Sequence, residues 1–110
     1  MIRFALPLLL ITTQVLAETQ LDTRQYTCDR GVTVPVAYIN ADDTSLAVLN
    51  VEGRQIVLYS EETASGARYA WPSDGSGYVW VSKGNTAMLI WKDGASKTET
   101  PLLATCTVLQ

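Results

Sequence analysis

The sequence predicts an all-β domain, and three observations support that prediction. Short runs rich in Val, Ile, Leu and Tyr recur about every ten residues. Segments containing Gly, Asn, Asp or Pro, which favour turns, separate these runs. Within several runs the apolar positions alternate, as they do along a strand, and no run after residue 17 has a helical period. Strands with this spacing are typical of a barrel or a sandwich.

The first 17 residues are expected to be a secretion signal outside the fold. Arg3 supplies a positive charge ahead of an apolar run at residues 4–11, and Val15 and Ala17 are small enough for the positions that a signal peptidase recognises. The run is far shorter than the ~20 residues of a membrane-spanning helix. The signal contains no cysteine, so nothing in it predicts a lipid anchor. We therefore expect cleavage after Ala17, a periplasmic domain at residues 18–110 and no membrane span.

The charge balance argues against a nucleic-acid partner. The chain has 8 Lys and Arg residues, 11 Asp and Glu residues and a net charge of −3, and the signal contains one of the cations. Nucleic-acid binding depends on cations that neutralise phosphates. An acidic surface is instead compatible with a basic protein partner, because complementary charges accelerate encounter.

Two cysteines, Cys28 and Cys106, lie near the two ends of the predicted domain. In an exported protein, such a pair predicts one structural disulfide. A zinc or redox site is the alternative, but the chain contains no histidine and no Cys-x-x-Cys. If the first and last strands are neighbours, the sheet closes into a barrel and the disulfide fixes its seam.

The first four predicted strands are joined by short turns. They cover residues 24–30, 32–40, 45–51 and 54–60, with turns at residues 29–31, 40–43 and 52–53. Pro35 has no N–H to donate, so we expect it at an edge or a bulge. Ile56 and Leu58 share one face of the fourth strand, and apolar side chains also occupy its other face. Strands with two apolar faces predict that part of the outer surface is covered or paired.

Three of the last four predicted strands follow longer connections. They cover residues 67–71, 78–82, 86–91 and 102–109, and the connections include residues 61–66, 72–77 and 92–101. Ser65-Gly66 is a turn signal, because Gly accepts a positive φ. Lys83-Gly84-Asn85 suits a tight hairpin, because Gly and Asn tolerate left-handed backbone. Ser65 and Lys83 therefore lie on segments that we expect to protrude.

Catalytic groups are scarce in this chain. The adjacent carboxylates at residues 42–43 and 61–62 are interpreted as solvated turn charges, because neighbours on a strand point to opposite faces. A glycoside hydrolase needs two carboxyl groups facing each other across a bond. Trp71, Trp80 and Trp91 could line a sugar or small-ligand site, but we favour packing in the core or over a barrel face. A periplasmic barrel that binds a small ligand or glycan stays the alternative function, and a glycan hydrolase a third.

Four features of the sequence together carry a resemblance. They are Tyr-Thr-Cys-Asp-Arg-Gly at residues 26–31, Ser-Gly-Ala-Arg-Tyr-Ala at residues 65–70, Trp-Val-Ser-Lys-Gly-Asn-Thr-Ala at residues 80–87, and the closing Cys106. In this order and spacing they resemble the MliC/PliC family of bacterial inhibitors of C-type lysozyme. Asn85 departs from the family pattern, which commonly has an acidic residue there.

The resemblance implies an eight-stranded antiparallel barrel, monomeric or homodimeric. It also implies a non-enzymatic function without a cofactor, namely occlusion of the lysozyme active-site cleft. The lysozyme-binding residues that it implies are Ser65, Gly66, Ala67, Arg68, Tyr69, Lys83 and Gly84. Ser65 would face the catalytic carboxyl groups and Lys83 would pair with an acidic group there. For Arg68, enzyme contact and solvation both stay open, as do enzyme contact and support of the loop for Tyr69.

Overall fold

The computed structural model describes residues 19–61 and 66–109, which form a closed antiparallel barrel. Its strands are β1 (Gln20–Cys28), β2 (Thr33–Asn40), β3 (Ser45–Val51), β4 (Arg54–Glu61), β5 (Ala67–Ala70), β6 (Gly77–Lys83), β7 (Thr86–Lys92) and β8 (Glu99–Val108). Each strand pairs with the next, and β8 pairs with β1. The prediction of an eight-stranded antiparallel barrel is confirmed. Among the residues described, no helix has the length and hydropathy needed to cross a membrane.

The predicted bounds of two strands, β1 and β8, are wrong by two residues or more. β1 begins at Gln20 instead of residue 24 and ends at Cys28, where a single 3-10 turn at Asp29–Gly31 follows. Its first residues pair with β2 but are exposed, so no apolar alternation marks them. β8 begins at Glu99 instead of residue 102 and includes Pro101. Pro101 pairs with Ile90 beside a register shift, where a missing N–H is tolerated.

Pro35 lies at a local edge, as predicted. The β2–β3 ladder ends at the pair Val36–Leu49, so β3 does not pair with β2 at Pro35. On its other side Pro35 is paired with Gln25 of β1. The barrel therefore accommodates this proline where the neighbouring ladder stops.

Aromatic side chains fill much of the barrel interior. Trp80 is 0% exposed, and its ring meets that of Tyr26 edge to face with centroids 5.1 Å apart. The Trp80 Nε1–H donates to the Tyr38 hydroxyl at 2.8 Å, and the Tyr38 and Tyr26 hydroxyl oxygens lie 2.9 Å apart. The buried polar atoms of these rings thus have partners, which removes the main cost of burying them. The prediction that tryptophan packs in the core is confirmed for Trp80.

A second, smaller apolar cluster lies on the outside of the barrel. Its buried members are Ala70, Val79 and Ile90, and Val81 and Met88 pack against them. They alternate along β5, β6 and β7 with residues of the main core, so they face outward. This cluster is a covered part of the outer surface, as the strands with two apolar faces predicted.

The seam between β1 and β8 is closed by the predicted disulfide. Cys28 and Cys106 are bonded, and they also form a Cα pair of the β1–β8 ladder. Near them β8 contains a bulge, because Leu103 and Cys106 are three positions apart in the sequence while their β7 partners are two positions apart. One oxygen of the Asp29 carboxylate accepts the N–H groups of Ala104 at 2.7 Å and Thr105 at 3.1 Å. Asp29 therefore holds the bulge next to the seam.

Replacing Asp29 with alanine is expected to lower the free energy of unfolding by about 1–2 kcal/mol, because two N–H groups lose a charged acceptor. Urea denaturation measures this change. Asp42→Ala, in the exposed β2–β3 turn, removes the same charge and is the matched control, with an effect within about 0.5 kcal/mol. Equal urea midpoints for the two variants would show that the carboxylate does not hold the bulge.

Candidate functional site

Gly66 and Lys83, from the two segments predicted to protrude, lie side by side at one end of the barrel. Gly66 directly precedes β5, and Lys83 is the last residue of β6. The β5–β6 ladder includes the pair Ala67–Ser82, which places Gly66 opposite Lys83. A Cβ atom built on Gly66 would lie 3.5 Å from the Lys83 Cβ. The structure thus joins the two motifs that the sequence separates.

Gly66 is required by this arrangement for two reasons. Its φ is +68°, in the left-handed region that disfavours other residues. A Cβ at this position would also lie 2.8 Å from the carbonyl oxygen of Ser82, closer than real Cβ atoms approach. Residue 66 can therefore approach the β6 backbone this closely only as glycine.

Lys83 projects from a tight turn into solvent. Its side chain is exposed, and the hydroxyl of Thr86 donates to its carbonyl oxygen at 2.9 Å. Gly84 follows with a φ of +59°, as the predicted hairpin requires. The turn fixes the Lys83 backbone and leaves the ammonium at the end of the barrel.

Ser65 and the rest of residues 62–65 lie outside the described residues. The predicted position of the Ser65 hydroxyl therefore stays a prediction. Ala67 begins β5, and its half-buried side chain packs against the main core. Only the residues from Gly66 onward show how the segment enters the barrel.

The guanidinium of Arg68 is held by two carboxylates. Its Nε donates to Glu61 Oε2 at 2.9 Å, and its Nη2 donates to the carboxylate of Glu99. The side chain of Arg68 is 24% exposed. The hydrogen bonds to Glu99 and then Glu61 raise the pKa of Arg68 above its ordinary value. Arg68 thus connects β5 to both β4 and β8.

Tyr69 lies behind the segment, inside the barrel. It is buried, and its ring packs against that of Tyr38 with centroids 5.6 Å apart. Burial raises the pKa of Tyr69. In this position the ring supports the segment from the core side.

An open depression of about 320 Å³ lies at the barrel mouth beside the turn that contains Lys83. Its lining residues are Arg24, Tyr26, Tyr38, Asn40, Tyr69, Ser82 and Gly84. Arg24 donates to the carboxylate of Asp22 at 3.0 Å. Burial raises the pKa of the Tyr26 hydroxyl above its ordinary value. Arg24 and Asn40 were not predicted as neighbours of the site, because only closure of the barrel brings β1 and β2 to it. The one sequence signal for Arg24 and Asn40 was the alternation of residues along β1 and β2, which indicates the face of the strand but not its neighbours in the barrel.

The features considered for other functions are spread over the molecule. Within the part of the chain that the structure describes, no group of three or more His, Cys, Asp or Glu residues is arranged to hold a metal ion. Trp71 is 54% exposed and meets Tyr59 edge to face, with centroids 5.8 Å apart. Trp91 is 38% exposed and meets Tyr78 edge to face at 5.0 Å. Trp80 is in the core, so these tryptophans do not line one common site.

Comparison with known sequences places the chain in a family. The family model described as membrane-bound lysozyme-inhibitor of c-type lysozyme matches residues 26–98. A membrane-bound lysozyme inhibitor of C-type lysozyme from Cupriavidus necator is 40% identical over 65 residues, which are 59% of this chain and 49% of that protein. The protein of the same name from Pseudomonas aeruginosa is 39% identical over 82 residues, which are 70% of this chain and 61% of that protein. The chain therefore spans about half to three-fifths of the length of these curated relatives.

Two solved structures are similar to the barrel. Pseudomonas aeruginosa MliC, in complex with hen egg white lysozyme, is 26% identical with a TM-score of 0.65, and the match covers 99% of this chain and 96% of that one. PliC-St, the periplasmic lysozyme inhibitor of C-type lysozyme from Salmonella typhimurium, is 25% identical with a TM-score of 0.67, and the match covers 83% and 100%. The family match covers the segments at residues 26–31, 65–70 and 80–87. The chain belongs to the family of membrane-bound lysozyme inhibitors of C-type lysozyme.

Proposed function

We propose that this protein is a periplasmic, non-enzymatic inhibitor of C-type lysozyme that occludes the active-site cleft of the enzyme. The observation that supports this most directly is the juxtaposition of Gly66 and Lys83 at one end of the barrel. The family match and the relative solved in complex with hen egg white lysozyme support C-type lysozyme as the partner. The residues proposed to form the lysozyme-binding segment are Ser65, Gly66, Ala67, Arg68, Tyr69, Lys83 and Gly84.

The chemistry of this end suits the lysozyme cleft. Such a cleft holds one carboxyl group with a raised pKa and one ionised carboxylate close together. The exposed ammonium of Lys83 supplies a positive charge for the ionised group, and the bond strengthens where water is excluded. The hydroxyl of Ser65 donates to one carboxyl group and accepts from the other. Gly66 keeps the segment narrow where it leaves the barrel.

We further propose that residues 1–17 direct export and are removed by cleavage after Ala17. The resulting domain, residues 18–110, is acidic, because the signal contains Arg3 and no acidic residue. With a basic lysozyme as the partner, long-range attraction raises the association rate. Export also brings the chain to a compartment where the Cys28–Cys106 disulfide persists.

A lysis assay tests the proposed function. Purified residues 18–110, with the disulfide intact, are mixed with hen egg white lysozyme, and clearing of a bacterial cell-wall suspension is followed. Stoichiometric protection of the suspension is the expected result. Absence of protection at micromolar concentration overturns the proposal. It favours ligand binding through the exposed Trp71 and Trp91, which a change in tryptophan fluorescence on addition of ligand would measure.

The residue assignment has its own test. Ser65→Ala and Lys83→Ala are each expected to weaken inhibition, by roughly 1–3 kcal/mol for a lost hydrogen bond in a dry contact. Lys83→Ala should also reduce the salt dependence of inhibition. Ser73→Ala and Lys92→Ala, toward the opposite end of the barrel, are the matched controls and should inhibit like the parent. If both test variants fold and inhibit normally, the segment is wrongly assigned even though the family stands.

A further inference from the structure

The depression at the barrel mouth is the polar end of the barrel interior. Arg24 and Asn40 each lie two positions from a buried tyrosine of the core, on β1 and β2. Ser82 lies two positions after the buried Trp80 on β6. Residues two apart on a strand share a face, so these polar side chains continue the inner face of the barrel. The depression therefore has buried tyrosines on its inner side and polar side chains at its rim.

The inner side of the depression contains a hydroxyl proton that has no acceptor. The Trp80 Nε1–H donates to the Tyr38 hydroxyl, and the hydroxyls of Tyr26 and Tyr38 share one hydrogen bond. That shared bond uses only one of the two hydroxyl protons. Whichever tyrosine donates, the other hydroxyl proton has no acceptor among the residues that the structure describes. Both tyrosines line the depression, so this donor is available to a ligand there.

Tyr69 adds a second hydroxyl donor. Its side chain is buried, and its hydroxyl forms no hydrogen bond within residues 19–61 and 66–109. Every fully buried side-chain oxygen in those ranges has a partner, so the Tyr69 hydroxyl must reach solvent, and Tyr69 lines the depression. Burial raises the pKa of Tyr69, so the hydroxyl keeps its proton at neutral pH and can donate.

The rim of the depression supplies a positive charge. Among the described residues that line it there is one cation, Arg24, and no carboxylate. The Arg24 Nε donates to the carboxylate of Asp22 at 3.0 Å, while its two Nη groups have no partner in the described part of the chain. The carboxamide of Asn40 and the hydroxyl of Ser82 add further donors at the rim. The depression therefore has more donors than acceptors.

We propose that the depression at the barrel mouth binds the carboxylate of a small organic acid. A carboxylate has two acceptor oxygens and no proton to donate, so it complements the spare hydroxyl donors of the tyrosines. Hydrogen bonds from the Arg24 guanidinium to an anionic oxygen are stronger than those to a neutral one. A single cation matches a singly charged carboxylate better than a doubly charged phosphate. This site goes beyond the proposed function, because it does not depend on lysozyme.

The test is a titration of the purified, ¹⁵N-labelled protein with sodium acetate at constant ionic strength, with the disulfide intact. The indole N–H signal of Trp80 is followed by NMR, because this N–H donates to the Tyr38 hydroxyl at the inner side of the depression. The chain has three tryptophans, and Trp71→Phe and Trp91→Phe assign the remaining indole signal to Trp80. We expect a saturable shift with a dissociation constant in roughly the millimolar range, as a ligand of so few atoms allows.

Matched ligands and variants locate the site. Acetamide has the shape of acetate without its charge and should bind about tenfold more weakly or worse, as should phosphate. Tyr69→Phe and Arg24→Gln should each weaken acetate binding about tenfold, because each removes a donor to a charged group. Tyr59→Phe, at an exposed tyrosine, and Arg54→Gln, at the β3–β4 hairpin, remove the same groups elsewhere and should bind acetate like the parent.

The inference is overturned by any of three results. The first is no saturable shift of the Trp80 signal up to about 100 mM acetate, well above the expected dissociation constant. The second is binding of acetamide or phosphate as tight as that of acetate, and the third is parental acetate binding by folded Tyr69→Phe and Arg24→Gln. Because the titration contains no lysozyme, failure to inhibit the enzyme leaves this inference standing, and failure to bind acetate leaves the proposed function standing.

Discussion

Replacing Cys28 and Cys106 with serine is expected to lower the free energy of unfolding by about 4.5 kcal/mol, because the disulfide closes a loop with a sequence separation of 78. In the chain-entropy model a loop of this length strongly restricts the unfolded chain. For a domain of this size, that is a large part of the whole stability. Urea denaturation of parent and double variant at one temperature measures the difference.

Reduction of the parent protein provides the matching control for the double variant. The reduced parent and the serine variant should have the same urea midpoint, because both lack the cross-link. A variant within about 1 kcal/mol of the oxidised parent would contradict the expectation and show that the β1–β8 ladder closes the barrel unaided. Below its unfolding transition the variant should still inhibit lysozyme, because the cysteines lie outside the proposed binding segment.

Replacing Gly66 with alanine is expected to have the largest effect on inhibition of any single methyl addition. The new Cβ meets the Ser82 carbonyl oxygen at 2.8 Å, so the backbone at residue 66 or the β6 end must move. The φ of +68° adds about 1–2 kcal/mol of strain for a residue other than glycine. Because Lys83 lies directly across from residue 66, the displacement alters both parts of the proposed site together. We expect inhibition to fall by about a hundredfold or more.

Gly53→Ala separates the two causes. Gly53 has a φ of +80°, and a Cβ atom added to it would have no neighbour within 4 Å, so its substitution introduces strain without a collision. Gly53→Ala should destabilise by about 1 kcal/mol and inhibit like the parent once folded. Near-parental inhibition by folded Gly66→Ala would show that the close approach to Ser82 does not position the site. Inhibition titrations on folded protein, verified by circular dichroism, decide this.

The parts of the fold that were predictable are those governed by local pattern. The β3–β4 hairpin follows from two short apolar runs on either side of Glu52-Gly53, and its bounds agree with the prediction to within a residue. The start of β1 and the start of β8 were not predictable in this way. Their residues are exposed and polar, and they become strands only because an adjacent strand offers backbone partners.

The same distinction between local pattern and distant contacts decides which residues of the candidate site were predictable. Gly66, Lys83 and Gly84 were identified because turn chemistry and motif both act over a few residues. The pairing of Arg68 with Glu99 was not, since it spans 31 residues and depends on how β8 returns past the barrel. The contact of Asp29 with the β8 bulge spans 75 residues and was missed for the same reason. The sequence pattern around a charged side chain does not indicate which distant residue it pairs with. Only the three-dimensional fold reveals these pairs.

The seam between β1 and β8 also has a consequence for synthesis and export. A chain that emerges amino terminus first presents β1 long before β8, so one edge of β1 has no partner while the intervening strands appear. Every partial assembly of strands is thus an open sheet with two free edges, which is prone to pair with other chains. The barrel therefore cannot close before β8 is available to pair with β1 and Cys106 can reach Cys28. In a protein exported as proposed, the Cys28–Cys106 bond that closes this seam forms in a compartment where disulfides persist.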